Sequence, residues 1–178
     1  ATNMRGIHIK DSTNMTITNE STGTIKADVR AAIYGNGSTD FTMHNYGTID
    51  SNNRTIEGGS ATNLTINNYD GGIIDSTNGS SIKYLGTTNT TINNYSGAII
   101  QSPGASYSVT LDNGSTVTIY NEGEISAANN NYAIACQTCA NVGITNSGTV
   151  TAGGTVSIDL KSVTGTNTVT NTSPGTIS

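Results

Sequence analysis

Few side chains in this 178-residue chain are of types that do chemistry, and their spacing limits what they could do. Asp50 and Asp75 fall at equivalent outward positions of two successive sequence repeats. Strand spacing would hold them ~4.8 Å apart, close to the separation of the two carboxyls in a retaining glycosidase. The next repeat carries Gln101 at that position, so the acid pattern stops there and solvated acids on a sheet face are expected. Cys136-Gln-Thr-Cys139 holds the only two cysteines. A redox CxxC normally opens a helix in an α/β unit, and no helical pattern surrounds this one. Zinc takes about four ligands, and only His8 and His44, on other repeats, could be added to the pair. Neither a metal nor a cofactor is expected, and the chain is read as non-catalytic. The net charge of −5 also argues against nucleic acid, which rewards dense Lys/Arg patches.

The elements that would carry these residues follow from an internal repeat. Leu64-Thr-Ile-Asn-Asn-Tyr-Asp-Gly-Gly-Ile-Ile-Asp-Ser76 returns almost intact as Thr90-Thr-Ile-Asn-Asn-Tyr-Ser-Gly-Ala-Ile-Ile-Gln-Ser102. Reduced to apolar, Thr, apolar, any residue, Asn, a Gly-containing turn and an aliphatic, the pattern occurs seven times. Its shared asparagines are Asn19, Asn45, Asn68, Asn94, Asn121, Asn146 and Asn171, at gaps of 26, 23, 26, 27, 25 and 25 residues. A period near 25 running end to end means a solenoid.

Each unit holds three short pieces that alternate with period two and are rich in β-branched residues, as in Leu64-Thr-Ile, Ile73-Ile-Asp and Ile82-Lys-Tyr. The expected fold is all-β: a single-stranded parallel β-helix of about seven coils, three strands to a coil. Alternation points Ile17, Met43, Ile66, Ile92, Ile119 and Ile144 inward, and Ile25, Ile49, Ile74, Ile100, Ile125, Val150 and Ile177 into a second inward column. The shared asparagines enter the edge of that core. Stacked amides can bond to the coils above and below, so the seven are read as an architectural ladder.

A thin solenoid core also accounts for a chain only 33% hydrophobic and 11% charged. No apolar run approaches the ~18 residues of a membrane-spanning helix, and no membrane contact is expected. Ala1 to Lys10 does not read as a signal peptide. Distinct polar caps are missing at both ends, so residues 1–178 are expected to be one β-helix segment of a longer array.

Two outer surfaces could bind. Thr16, Thr42, Thr65, Thr91, Thr118 and Thr168 align outward, and a flat Thr face can order water, which suggests ice binding. Gly143 interrupts that column, and His44 and Tyr120 break the column beside it. Tyr46, Tyr69 and Tyr95 follow the shared Asn on three successive coils, and Ile73 and Ile99 point outward beside them. Such a ridge suits an interface or stacking on sugars. The alternative is that the tyrosines stack on one another and cover the turn. A long rod could add many weak contacts and gain avidity.

Repeats such as Asn146-Ser-Gly-Thr-Val and Asn45-Tyr-Gly-Thr-Ile resemble the passenger domains of Gram-negative autotransporters, and the likeness covers nearly all of the chain. The resemblance implies a right-handed parallel β-helix, exported across the outer membrane to the bacterial cell surface or secreted. It implies an adhesin whose partner is another copy of itself on a neighbouring cell, or a host protein or glycan. Sparse, close cysteine pairs resemble those of some passengers. On that likeness Cys136 and Cys139 form a disulfide, with free thiols as the alternative. A glycan-processing β-helix is the second reading and an ice-binding one the third.

Overall fold

The computed structural model describes residues 5–104, 107–128, 132–154 and 156–178. The chain winds through seven coils of three strands. Coil one holds β1 (Ile7–Lys10), β2 (Thr13–Asn19) and β3 (Thr24–Ala27). Coil two holds β4 (Ile33–Asn36), β5 (Thr39–Asn45) and β6 (Thr48–Ser51). Coil three holds β7 (Ile56–Gly59), β8 (Thr62–Asn68) and β9 (Ile73–Ser76). Coil four holds β10 (Ile82–Leu85), β11 (Thr88–Asn94) and β12 (Ile99–Ser102). Coil five holds β13 (Val109–Asp112), β14 (Ser115–Asn121) and β15 (Glu124–Ala127). Coil six holds β16 (Ile134–Gln137), β17 (Ala140–Asn146) and β18 (Thr149–Ala152). Coil seven holds β19 (Ile158–Lys161), β20 (Thr168–Asn171) and β21 (Thr176–Ile177).

Every strand pairs in parallel with its equivalent one coil away, which gives three seven-stranded sheets and a parallel β-helix. The first sheet contains β1 and its equivalents, the second β2 and its equivalents, the third β3 and its equivalents. Because pairing joins equivalent residues, each sequence column becomes a physical stack. Ile66 lies between Met43 and Ile92, and Ile74 between Ile49 and Ile100. These six and their neighbours Phe41, Leu64, Ile56 and Ile82 are fully buried. Burying each such side chain contributes ~1.5–3 kcal/mol, repeated coil after coil along a core one coil wide. The end coils have a neighbour on one side only. Ile17 and Ile25 are partly buried, and Val169 and Ile177 are exposed.

One column departs from the aliphatic rule. Ile9, Gly35, Gly58, Tyr84, Leu111, Cys136 and Leu160 stand in register on the first sheet and point inward. Tyr84 is fully buried there. A methyl group on Gly58 would sit 2.5 Å from Cε1 of Tyr84, and one on Gly35 would sit 3.0 Å from its hydroxyl. Two coils without side chains thus make the room that one aromatic ring fills. Among the described residues the Tyr84 hydroxyl finds no partner, and burial pushes its pKa upward.

The corner between the first and second sheets is built from left-handed residues. One stack reads Asp11, Gly37, Ser60, Gly86, Asn113, Thr138 and Ser162, and all seven have positive φ. Three residues later comes a second such stack: Asn14, Asp40, Asn63, Asn89, Thr116, Asn141 and Gly165. Asn, Asp and Gly visit this region at least cost. The second of these residues lies inside the strand in coils one to six, which is why strands of the second sheet run to seven residues where the apolar pattern marks three. Amides stack here too: Asn89 donates to Asn63 (3.0 Å) and Asn63 to Asp40 (2.7 Å).

Candidate functional site

The shared asparagines form a continuous ladder at the edge of the core. Nδ2 of each donates to Oδ1 of the next, from Asn19 through Asn45, Asn68, Asn94, Asn121 and Asn146 to Asn171, at 2.7–2.9 Å. The first six also tie their own turn to the next coil: Asn68 Nδ2 reaches Gly72 O (3.1 Å) and Ile99 O (3.0 Å). Six of the seven are buried and Asn171 is exposed. Their amides are consumed by the frame, so they offer nothing to a substrate.

The ladder holds the turn that presents the tyrosines. Tyr46, Tyr69 and Tyr95 follow ladder residues, and each backbone N–H bonds to the ladder asparagine one coil back. The rings are therefore forced into register. Centroids lie 4.4 Å apart for Tyr46–Tyr69 and 4.8 Å for Tyr69–Tyr95, with planes within 6° of parallel. His44 extends the stack, its Nδ1 3.1 Å from the Tyr69 hydroxyl. Tyr46 and Tyr95 are 37% and 36% exposed. Ile73 and Ile99 pair directly on the third sheet and are partly exposed next to this turn. The faces of Tyr69 are taken up by its neighbours, so a sugar could not stack on it. What the row offers outward is ring edges and hydroxyls at the coil spacing. Burial, and then its neighbours Tyr46 and Tyr95, raise the pKa of Tyr69, so that hydroxyl stays protonated at neutral pH.

The aspartates do lie side by side: Asp50 pairs with Asp75 on the third sheet, and Gln101 follows. Asp50 is occupied by Lys26 at 2.9 Å. Oδ1 of Asp75 is shielded and without a partner among the described residues, and burial, then Asp50, raises its pKa. A raised acid beside an ionised one is a hydrolase-like pairing. Here, however, one carboxylate is bound by an ammonium and the other turns an oxygen away from solvent. On the second sheet the Thr column is in register, but Gly143 interrupts it and Tyr120, 50% exposed, stands up from the column beside it. That face is not flat enough to template ice.

The cysteines do not form the disulfide that the resemblance implies but take the alternative: both are free, buried thiols. Cys136 points into the core from β16, and Cys139 from the corner beyond it, where its Sγ donates to Leu111 O at 3.0 Å. Sγ lies 3.6 Å from where a side chain on Gly114 would begin, so it packs against the open space at that glycine one coil back. The hydrogen bond to Cys139, and then burial, push the Cys136 thiol up, away from the reactive thiolate. Among the described residues no group of three or more His, Cys, Asp or Glu could hold a metal ion.

Compared with protein-family models, with curated proteins and with solved structures, the chain matches none. Sequence reasoning missed two clusters. Tyr107 and Tyr132 stack at 5.5 Å just before the first-sheet strands of coils five and six. Three arginines converge at the same corner on coils one to three. The segments between third and first sheets vary in length, so equivalent residues there do not line up in a repeat alignment.

Proposed function

We propose that this chain is a non-catalytic β-helical stretch of a bacterial surface adhesin, and that it binds side by side to a second copy of itself. The observation that carries this reading is the row of Tyr46, Tyr69 and Tyr95, stacked at coil spacing beside Ile73 and Ile99, with Tyr46 and Tyr95 exposed and Tyr69 half-buried between them. A partner must match a repeat of ~4.8 Å to use every ring edge, and another β-helix has that repeat. Tyrosine is enriched at interfaces because it combines a large apolar body with a polar tip. The Thr and Asn residues flanking the row add weak hydrogen-bonding groups, and summed contacts along a rod give avidity. The likeness to autotransporter passengers supports placement at the cell surface.

The test uses bacteria that display the chain and settle by aggregation. Replacing Tyr46, Tyr69 and Tyr95 with Ser is expected to abolish settling while far-UV circular dichroism of the purified variant keeps its β signal. Unchanged settling would overturn the reading. Settling that requires a displaying cell and a bare cell, rather than two displaying cells, would replace the second copy with another surface component.

A further inference from the structure

We propose that the corner between the third and first sheets on coils one to three binds a carboxylated sugar. All three arginines of the chain, Arg5, Arg30 and Arg54, line one pocket of about 380 Å³ there, with Val29, Tyr34, Asn53 and Glu57. They come from three successive coils and converge on one recess in a molecule whose net charge is −5. Only one is neutralised: Arg54 pairs with Glu57. Neither Arg5 nor Arg30 has an acid partner among the described residues. The guanidinium of Arg5 lies 3.9 Å over the ring of Tyr34, and its Nε is shielded from solvent without an acceptor. His8 in turn packs against Tyr34, with centroids 5.2 Å apart.

Two unpaired like charges in one recess repel, and partial burial deprives Arg5 of the water that would screen it. An anion relieves both costs. Arg5 is also held in place by the ring beneath it, so less side-chain freedom is lost on binding. The planar guanidinium fork matches a carboxylate in bidentate geometry. The size of the pocket selects against a bare inorganic ion, because ligand pockets of ~300–1,000 Å³ hold small organic molecules. Asn53 supplies an amide and Glu57 a carboxylate acceptor, groups that bind sugar hydroxyls. A monosaccharide unit bearing a carboxylate uses all of these features. The site is on a different corner from the tyrosine row and does not depend on the reading given to that row.

The experiment is a titration of the isotope-labelled chain, followed by amide and arginine Nε signals, with sodium glucuronate, glucose and sodium sulfate at matched ionic strength. Glucuronate is expected to shift Tyr34, Asn53 and the arginine signals saturably. Glucose should leave them unmoved, and sulfate should bind at least tenfold more weakly. Arg30→Gln and Arg5→Gln should each weaken glucuronate at least tenfold. Arg30 is exposed, so its variant keeps the fold, and the Tyr46, Tyr69 and Tyr95 triple variant should bind as the parent does. Equal binding of glucose, or an unaffected Arg30→Gln variant, would overturn the proposal. Sulfate binding as tightly as glucuronate would overturn the assignment of a sugar.

Discussion

Asp75 shows how one outward side chain can work against its own coil. Burial and the field of Asp50 raise its pKa above the ordinary 3.8. The folded chain therefore keeps this proton to higher pH than the unfolded chain does. The group's contribution to stability is full below pH 3.8 and is lost as pH rises through the raised folded value. Like charges directly opposite on paired strands cost roughly 0.2–1 kcal/mol. Asp75→Asn removes that charge, and its new amide can donate toward Asp50. Thermal melts should show the variant more stable by about that amount at pH 7 and equal to the parent at pH 3. An equal gain at both pH values would mean that ionisation of Asp75 is not the cause. The pairing of these two aspartates was legible from their matching repeat positions. The capture of Asp50 by Lys26 also leaves a mark in the sequence, because Lys26 precedes Asp50 in the same outward column. Tyr84 was harder to place. Its neighbours in sequence do not say whether it points in or out; the signal is Gly58 and Gly35, one and two coils earlier in the same column.

At the scale of elements, strands were easier to read than corners. An aliphatic residue recurring every coil leaves an unambiguous inward column, because only the core tolerates it at seven successive levels. A left-handed corner leaves a fainter mark. Its positions accept Asn, Asp, Gly, Ser or Thr, and this chain uses those residues everywhere. Thr116 is the costly member of the second stack, as Thr138 is of the first. Thr116 is β-branched with φ at 56°, and its neighbours in the column are Asn89 and Asn141. A β-branched residue in this region is strained, and left-handed backbone costs about 1–2 kcal/mol for residues lacking a short polar compensation. Thr116→Asn should therefore stabilise the chain by about 1 kcal/mol, read as a higher urea midpoint. The new amide also continues the exposed stack that runs Asp40, Asn63, Asn89. Thr116→Ala, which keeps a Cβ and supplies no amide, should give no such gain. If Ala and Asn stabilise equally, relief of branching rather than the amide is responsible.

For the whole molecule, stability and display depend on the same register. A solenoid is close to one-dimensional: each coil contacts its neighbours, and the total is a sum of coils and interfaces. The ladder couples those interfaces, because each amide closes its own turn and the next one. Asn94 accepts from Asn68 at 2.9 Å and donates to Asn121 at 2.8 Å and to Glu124 O at 3.0 Å. Replacing it with Ala strands several buried groups at once, at about 1–3 kcal/mol each, so the loss should reach about 3 kcal/mol or more. Asn171 has the same sequence role but is exposed, and water can replace its bonds to Asn146 and Gly175. Asn171→Ala should cost about 1 kcal/mol or less. Urea unfolding separates the two outcomes, and Asn94→Ala should also broaden the transition as the coils on either side lose their coupling. Tyr95 directly follows Asn94 and takes its register from the ladder, so the same variant should spread the tyrosine rings and weaken side-by-side association. Losses of equal size at Asn94 and Asn171 would mean that the coils are held by their apolar columns alone, with the amides only filling the edge.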